Sequence, residues 1–182
     1  MPRASDVRVR EVEVHKDRVA YRTPLKFGGV PTTHATIVTV RLRIEGLGGR
    51  GVWGSGSMPL GNVWSFPSKK VPAAATAAAM ELLVDRIQVA LGSMNEPGHP
   101  VELSHRWETH WIRLAEELSR ELGLADPMPP LAALVCASPF DAALHDAFGK
   151  FHNRHVYQCY GPAWLEDLAY FLDDQFAGET LA

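Results

Sequence analysis

Two histidines three residues apart, His152 and His155 in the run His152-Asn153-Arg154-His155, are the first residues whose types and spacing could do chemistry. On a helix they could share a metal ion. A metal site needs more ligands than two, and no nearby carboxylate or cysteine completes the set, so surface or capping histidines are the expectation. Asp141 and His145 stand at i and i+4, with Asp146 directly after. A carboxylate that orients a histidine is half of a catalytic triad. The other half, a nucleophile exposed on a sharp turn, is absent, so the sequence predicts a pair on a helix surface.

Two stretches could face a ligand. In Gly51-Val52-Trp53-Gly54-Ser55-Gly56-Ser57, the Gly54-Ser55-Gly56 string is not a nucleophile elbow, which needs a strand-to-helix turn. It also lacks the Gly-Lys-Ser/Thr ending of a phosphate loop. What remains is a glycine- and serine-rich loop leaving a strand, where the backbone can approach a ligand closely or serve only as a connection. Residues 22–30 hold Lys26 and Phe27 beside Gly28 and Gly29. Long loops in small domains are more often functional than short ones. Lys26 could meet an anionic substrate, or it is a solvated lysine with Phe27 as a plug. The two cysteines, Cys136 and Cys159, sit in apolar or aromatic settings. A lone pair makes a poor disulfide framework, so buried thiols are expected.

The elements that must position these residues fall into two blocks. Residues 1–60 read as β. Val7-Arg8-Val9-Arg10 and Val12-Glu13-Val14 both alternate, and the phase slips between them at Arg10-Glu11, which predicts a bulge. Val38, Val40, Leu42 and Ile44 share one face of the clearest strand, opposite Thr39, Arg41 and Arg43. Gly46-Leu47-Gly48-Gly49 supplies turn residues, and Gly51-Val52-Trp53 starts a return strand. Residues 22–31 and 54–72 read as loops. After Pro72 the chemistry changes. Residues 73–91 are rich in Ala, Leu and Met and stop at Gly92, with Met80, Leu83, Val84, Ile87 and Leu91 on one face. A second helix is predicted from Pro100 to about Leu122, striped by Trp107, Trp111, Leu114 and Leu118, with Gly123 as its stop.

A third helix is predicted over residues 131–150. Pro139 is expected to split it, with Ser138 as the N-cap of the second half and Asp141 in its first turn. Gly149 reads as a late breaker. Pro162 can open a short helix through Leu172 within an aromatic tail that begins at Tyr157. Strands first and helices after is the order of an α+β fold, here about a three-stranded antiparallel meander followed by three or more helices.

Size and charge bound the function. The chain has 182 residues, enough for a sizeable core and short of the roughly 250 that a (β/α)₈ barrel needs. Its formal net charge is −3, without the basic excess of a nucleic-acid binder. No apolar run reads as a membrane span, and the N-terminus lacks the apolar core of a signal peptide. A cytoplasmic protein with no nucleic-acid or membrane partner is the expectation.

The order of the parts, more than any one motif, carries a resemblance. An opening strand and glycine-rich loop precede Thr36-Ile37-Val38-Thr39-Val40-Arg41-Leu42-Arg43. Then come Gly51-Val52-Trp53-Gly54-Ser55-Gly56, an Ala-rich helix, and Ser138-Pro139-Phe140-Asp141-Ala142-Ala143-Leu144-His145-Asp146-Ala147-Phe148-Gly149-Lys150. Over residues 7–162 this resembles the N-terminal capping domain of the enolase superfamily, in its mandelate racemase/muconate lactonizing enzyme branch. The Asp-Ala-Ala-Leu-x-Asp-x-x-Gly-Lys string is the most specific part.

The resemblance implies a capping domain at residues 1–155 and a lead-in at residues 156–182 toward a barrel. It implies two loops that close over a substrate, 22–30 and 54–60, with Lys26, Phe27, Ser55 and Ser57 as the substrate-facing residues. It implies Mg²⁺ for the full-length parent, bound by the barrel and not by this chain, and abstraction of the proton α to a carboxylate. Implied partners are the barrel itself, a carboxylate-bearing small molecule and a second copy of the chain. This part alone is expected to be inactive, with an apolar tail that drives self-association. The sequence departs from the family where Ser55 stands in a position in which Glu is common, and where the segment with Trp64, Phe66 and Pro67 runs longer than usual. A free-standing α+β binding or interaction module is the alternative, and a small metal-dependent enzyme using His152 and His155 a third reading.

Overall fold

The computed structural model describes residues 3–27 and 29–181; the side chains of Phe27 and Val30 lie outside the described set. Three strands form one antiparallel sheet in the order β1-β2-β3: β1 Val7–Phe27, β2 Val30–Gly46 and β3 Gly51–Pro59. Helices follow: a short α1 (Asn62–Ser65), then α2 (Ala73–Ser93), α3 (Pro100–Glu121), α4 (Pro130–His152) and a short α5 (Leu168–Phe171), with single 3₁₀ turns at Val156–Cys159 and Asp174–Phe176. The architecture is the α+β meander-then-helices that the sequence order predicts.

The sheet has one dry face and one wet one. Val38, Val40, Leu42 and Ile44 are fully buried against the helices. The register shift between Val9 and Glu11 lets Val7 and Val9 before it, and Val12 and Val14 after it, all turn toward that face. On the wet face Arg43 pairs with Glu11 at 2.7 Å and Arg41 with Glu13 at 3.0 Å. The Arg41 guanidinium also lies 4.9 Å from the Trp53 ring centroid. Exposed ion pairs of this kind contribute little to stability. The buried aliphatic row does more, at about 1.5–3 kcal/mol per buried side chain.

Two of the predicted loops are strands. Residues 22–27 continue β1, with Leu25 opposite Thr32 and Lys26 opposite Pro31, and a second irregularity at 20–25 takes up Pro24. Residues 54–59 belong to β3, and the segment after them contains α1. Glycine and serine read as loop signals, but the ladder with β2 and the closeness of a helix, both non-local, select the extended form.

The helices that cover the dry face carry the buried residues expected of α2 and α3: Met80, Leu83, Val84, Ile87 and Leu91 from one, Trp107, Trp111 and Leu118 from the other. α2 runs through Gly92 to Ser93 rather than stopping before it. α3 opens on His99, whose Nδ1 accepts the Val101 N–H at 3.2 Å, with Pro100 in its first turn. Gly123, at φ +60°, ends it.

α4 is unbroken through Pro139. Proline removes one N–H, but the helix is held on several sides by the sheet, α2 and α3, and that packing outweighs one lost hydrogen bond. Ser138 is therefore no N-cap: its hydroxyl donates to Leu134 O at 2.8 Å inside the helix. Asp141 accordingly lies mid-helix, away from any first turn. Gly149 does not break the helix either. It lets the chain fold back: the Arg154 N–H reaches Gly149 O at 2.9 Å and the Asn153 N–H reaches Lys150 O at 3.2 Å, around a left-handed Asn153 at φ 52°. A Cβ on Gly149 would stand 2.9 Å from Arg154 O. Among the described residues α4 is also the one helix long and apolar enough, by length and composition, to cross a membrane; here its apolar positions are core. In the tail the helix expected from Pro162 to Leu172 is shortened to α5 at Leu168–Phe171.

Candidate functional site

The seam between β3 and α4 is the most constrained place in the molecule. Gly54 and Gly56 stand opposite Leu42 and Val40 and so share the dry face. A Cβ on Gly54 would collide with Ala143 O and Ala147 N and lie 2.7 Å from Ala147 Cα. One on Gly56 would collide with Pro139 O and lie 2.6 Å from Ala143 N. The alanines on the facing side of α4 and the alternate glycines of β3 thus bring two backbones into direct contact. Between the glycines, the Ser55 N–H donates to Asp146 Oδ2 at 2.8 Å, and Lys150 Nζ reaches the same oxygen at 2.6 Å. Asp146 satisfies an edge-strand donor that would otherwise stand open. Ser55 and Ser57 point the other way. They are exposed on the wet face, opposite Arg41 and Thr39, with Ser57 Oγ 2.9 Å from Thr39 Oγ1.

Lys26 is exposed at the far tip of the β1-β2 hairpin. Its partner Pro31 lies eight positions along β2 from Thr39, the partner of Ser57, or roughly 27 Å at about 3.4 Å per residue. The structure therefore does not bring Lys26 and the two serines together. Phe27, whose side chain lies outside the described residues, shares the tip.

The pair Asp141–His145 is not on a free helix surface. His145 Nδ1 donates to Asp141 O at 2.9 Å and lies 3.4 Å from Asp141 Oδ1. Ser104 from α3 donates its hydroxyl to the same Asp141 oxygen. Burial works against both charges, yet the hydrogen bond and attraction between them prevail: the Asp141 carboxyl is held below its ordinary value and the His145 imidazole above. Each partner thus favours the charged form of the other. Ser104 gives its proton to Asp141, while His145 turns its Nδ1 to Asp141, so the serine has no base and the cluster is no triad. Ser104 went unseen in the sequence because 37 positions separate it from Asp141.

His152 and His155 do not form a metal pair. His152 Nε2 meets Ser5 O at 3.0 Å and its ring packs between Phe148 and Trp164, whereas His155 lies against Tyr157. Among the described residues no three His, Cys, Asp or Glu side chains gather as a metal site. Cys136 and Cys159 are both free and buried; burial raises both thiols above their ordinary value, the opposite of an activated nucleophile.

No protein-family model matches the chain, and no curated protein matches its sequence. Among solved structures it is similar to a dipeptide epimerase from Enterococcus faecalis V583 complexed with Mg and the dipeptide L-Leu-L-Tyr, at 14% identity over 85% of this chain and 35% of that one, with a TM-score of 0.44. It is similar to a mandelate racemase/muconate lactonizing enzyme-like protein from Rubrobacter xylanophilus, at 16% identity over 84% and 33%, TM-score 0.44. It is also similar to the L-talarate/galactarate dehydratase from Salmonella typhimurium LT2, at 15% identity over 81% and 31%, TM-score 0.42. The chain spans about a third of the length of these proteins.

Proposed function

We propose that residues 1–155 are the N-terminal capping domain of a mandelate racemase/muconate lactonizing enzyme-like protein, and that residues 156–182 lead toward a (β/α)₈ barrel that carries the chemistry. One observation carries this reading. The two segments on which the sequence resemblance rests, Gly51–Gly56 and Asp141–Lys150, pack on each other through Gly54, Gly56, Ala143, Ala147 and the Ser55–Asp146 bond. The motif residues thus act as a unit.

In this reading the chain shapes a pocket for a carboxylate-bearing small molecule whose α proton the barrel would remove, and Mg²⁺, were it held by the barrel, would supply positive charge to the substrate carboxylate. The residues of this chain do not fit the metal, since among those described no carboxylate set gathers; its ligands belong to the barrel. Lys26 at the hairpin tip would draw in the substrate carboxylate, with Phe27 beside it; Ser55 and Ser57, roughly 27 Å away along the sheet, would face the ligand from a separate stretch and not across one pocket. A cytoplasmic setting and association with a second copy go with this reading. The exposed Tyr157, Tyr170, Leu172 and Leu181 of the tail are consistent with such a contact.

The test has two parts. The reading frame beyond codon 182 should continue for about 250 residues, as a barrel needs. The isolated 182-residue chain should show no Mg²⁺-dependent exchange of an α proton with solvent deuterium across a panel of hydroxy and amino acids. Exchange by the isolated chain would overturn the assignment. A second reading, a free-standing α+β binding module, is favoured by the closure of the core within the chain, where Val38, Val40, Leu42 and Ile44 are already fully buried. A stop codon directly after codon 182 in an intact gene would select it.

A further inference from the structure

Between α3 and α4, on the side away from β3, lies a cavity of about 490 Å³, within the size range of small-molecule sites. Trp107 and Trp111 form one wall, and Leu134, Ala137 and Phe140 the other. The tail roofs it with Leu168, Phe171 and Leu172. The roof is pinned: Arg3 bridges Glu102 at 2.8 Å and Glu166 at 2.7 Å, the Glu166 N–H donates to Glu102 Oε1 at 3.0 Å, and Arg106 reaches the Tyr170 hydroxyl at 3.3 Å.

The acidic groups that line this cavity are Glu108 and Asp141. Asp141 and Glu108 bring carboxylates to it, Ser104 donates its proton to Asp141, and Ser138 donates its own into α4. His105 is engaged with the rings of Tyr170 and Phe171. No lysine or arginine lines the cavity, and Glu108 has no ion-pair partner among the described residues. An anionic head group would meet the unpaired Glu108 carboxylate there, with the nearby His145 already committed to Asp141. A cationic head group would meet Glu108, with the rings of Trp107 and Trp111 lining the same cavity for the body of the molecule.

We infer that this cavity is a binding site for a small amphiphile with an aryl or alkyl body and a single ammonium head. The body lies between Trp107, Trp111 and Phe140, and the head sits at the Glu108 mouth. The site is separate from the β3/α4 seam and from the hairpin tip.

Three molecules of matched shape test it: phenylbutylamine, phenylbutanol and phenylbutyrate. Each is titrated calorimetrically into the full 182-residue chain, with tryptophan fluorescence as a second readout. The amine should bind at least about tenfold more tightly than the carboxylate, a factor that corresponds to about 1.4 kcal/mol, with the alcohol between. Glu108→Gln, an exposed helix position, should erase most of the preference for the amine and leave alcohol binding unchanged. Ala137→Leu should weaken all three by filling the cavity. Should that variant fail to fold, Leu172→Trp, at an exposed roof position, should do the same by closing the mouth. The inference is overturned if none of the three binds at millimolar concentration, if the carboxylate binds as well as the amine, or if Glu108→Gln keeps the preference. It is equally overturned if light scattering shows a dimer that Leu172→Trp dissociates, because a second copy would then be the occupant.

Discussion

One sheet has two very different ends. Where β3 lies against α4, backbone touches backbone, and the positions facing the helix are glycine because a methyl group has nowhere to go. Beyond Ile37, the last partner of β3, β2 pairs only with β1, and the two strands run on as a ribbon that exposes Val19, Tyr21 and Leu25. The same ladder chemistry holds both ends. What differs is side-chain packing, which fixes the seam and leaves the ribbon to its own hydrogen bonds, and two strands alone are marginal in water. The residues that most resemble a family motif turn out to hold the fold together, while of those expected to meet a substrate Lys26 sits on the loosely held ribbon and Ser55 and Ser57 on the outer face of the seam strand itself.

The sharpest way to break this contrast is at Gly54. Gly54→Ala places a carbon inside contact distance of the α4 backbone, and neither element can retreat without opening the core. Overpacking of this kind costs about 3 kcal/mol or more when the neighbour is backbone. Chemical denaturation should show that loss, or no cooperative folding at all. A variant as stable as the parent would mean that the seam is loose.

A second effect is expected beneath the seam, where Phe148 of α4 meets the His99 ring at 4.6 Å. Burial, reinforced by the nearby His145 charge, pushes the His99 imidazole down to about 3. The folded state therefore holds it neutral, while the unfolded chain takes up a proton near pH 6.5. Stability must fall as pH drops below 6.5, at up to about 1.4 kcal/mol per pH unit, or roughly 2 kcal/mol by pH 5. His145 acts in the opposite sense: its raised value supplies stability that is complete below pH 6.5 and is lost as pH rises through the folded value. His99→Asn, which keeps a capping oxygen, should remove the acid-side slope alone. Equal slopes in parent and variant over pH 6.5 to 5 would refute the assignment to His99.

A smaller loss is expected from Asp146→Asn. The Ser55 N–H keeps an acceptor but loses the charge, and Lys150 loses its partner. About 1 kcal/mol should go, against less than about 0.5 for Lys150→Ala, whose ion pair is exposed. If both variants lose the same amount, the strand donor matters no more than the surface ion pair.

Much of this was readable in advance where the signal is local. The alternation at 38–44, the slip at Arg10-Glu11 and the stripes of α2 and α3 all follow from short periods. The misreadings share a cause. Gly54-Ser55-Gly56 looks like a loop until α4 is placed beside it, and Pro139 looks like a helix break until the helix is buried on several sides. Pro24 looks like a loop residue until β2 is there to pair with β1, whereas Gly29, at φ +86°, does sit in the turn between them. Asp146 as the anchor of β3, and Ser104 as the partner of Asp141, depend on contacts 91 and 37 positions apart, which no local pattern encodes.

The smallest effect is expected at the ribbon. Leu25 is 43% exposed, and no described contact ties the Lys26 side chain to the body. Leu25→Ser and Lys26→Ala should each shift stability by less than about 0.5 kcal/mol, because a side chain already in water has little burial to lose. The ribbon should also be the first place a protease enters, since opening it disturbs only the β1-β2 ladder. Trypsin has exposed sites there at Arg18, Arg22 and Lys26. Limited digestion should therefore cut within residues 18–26 while α2, α3 and α4 stay intact, as mass spectrometry of the early fragments will show. First cuts in the helices, or a loss above 1 kcal/mol at Leu25, would mean that the ribbon is held by contacts of its own, and the two ends of the sheet would then be alike.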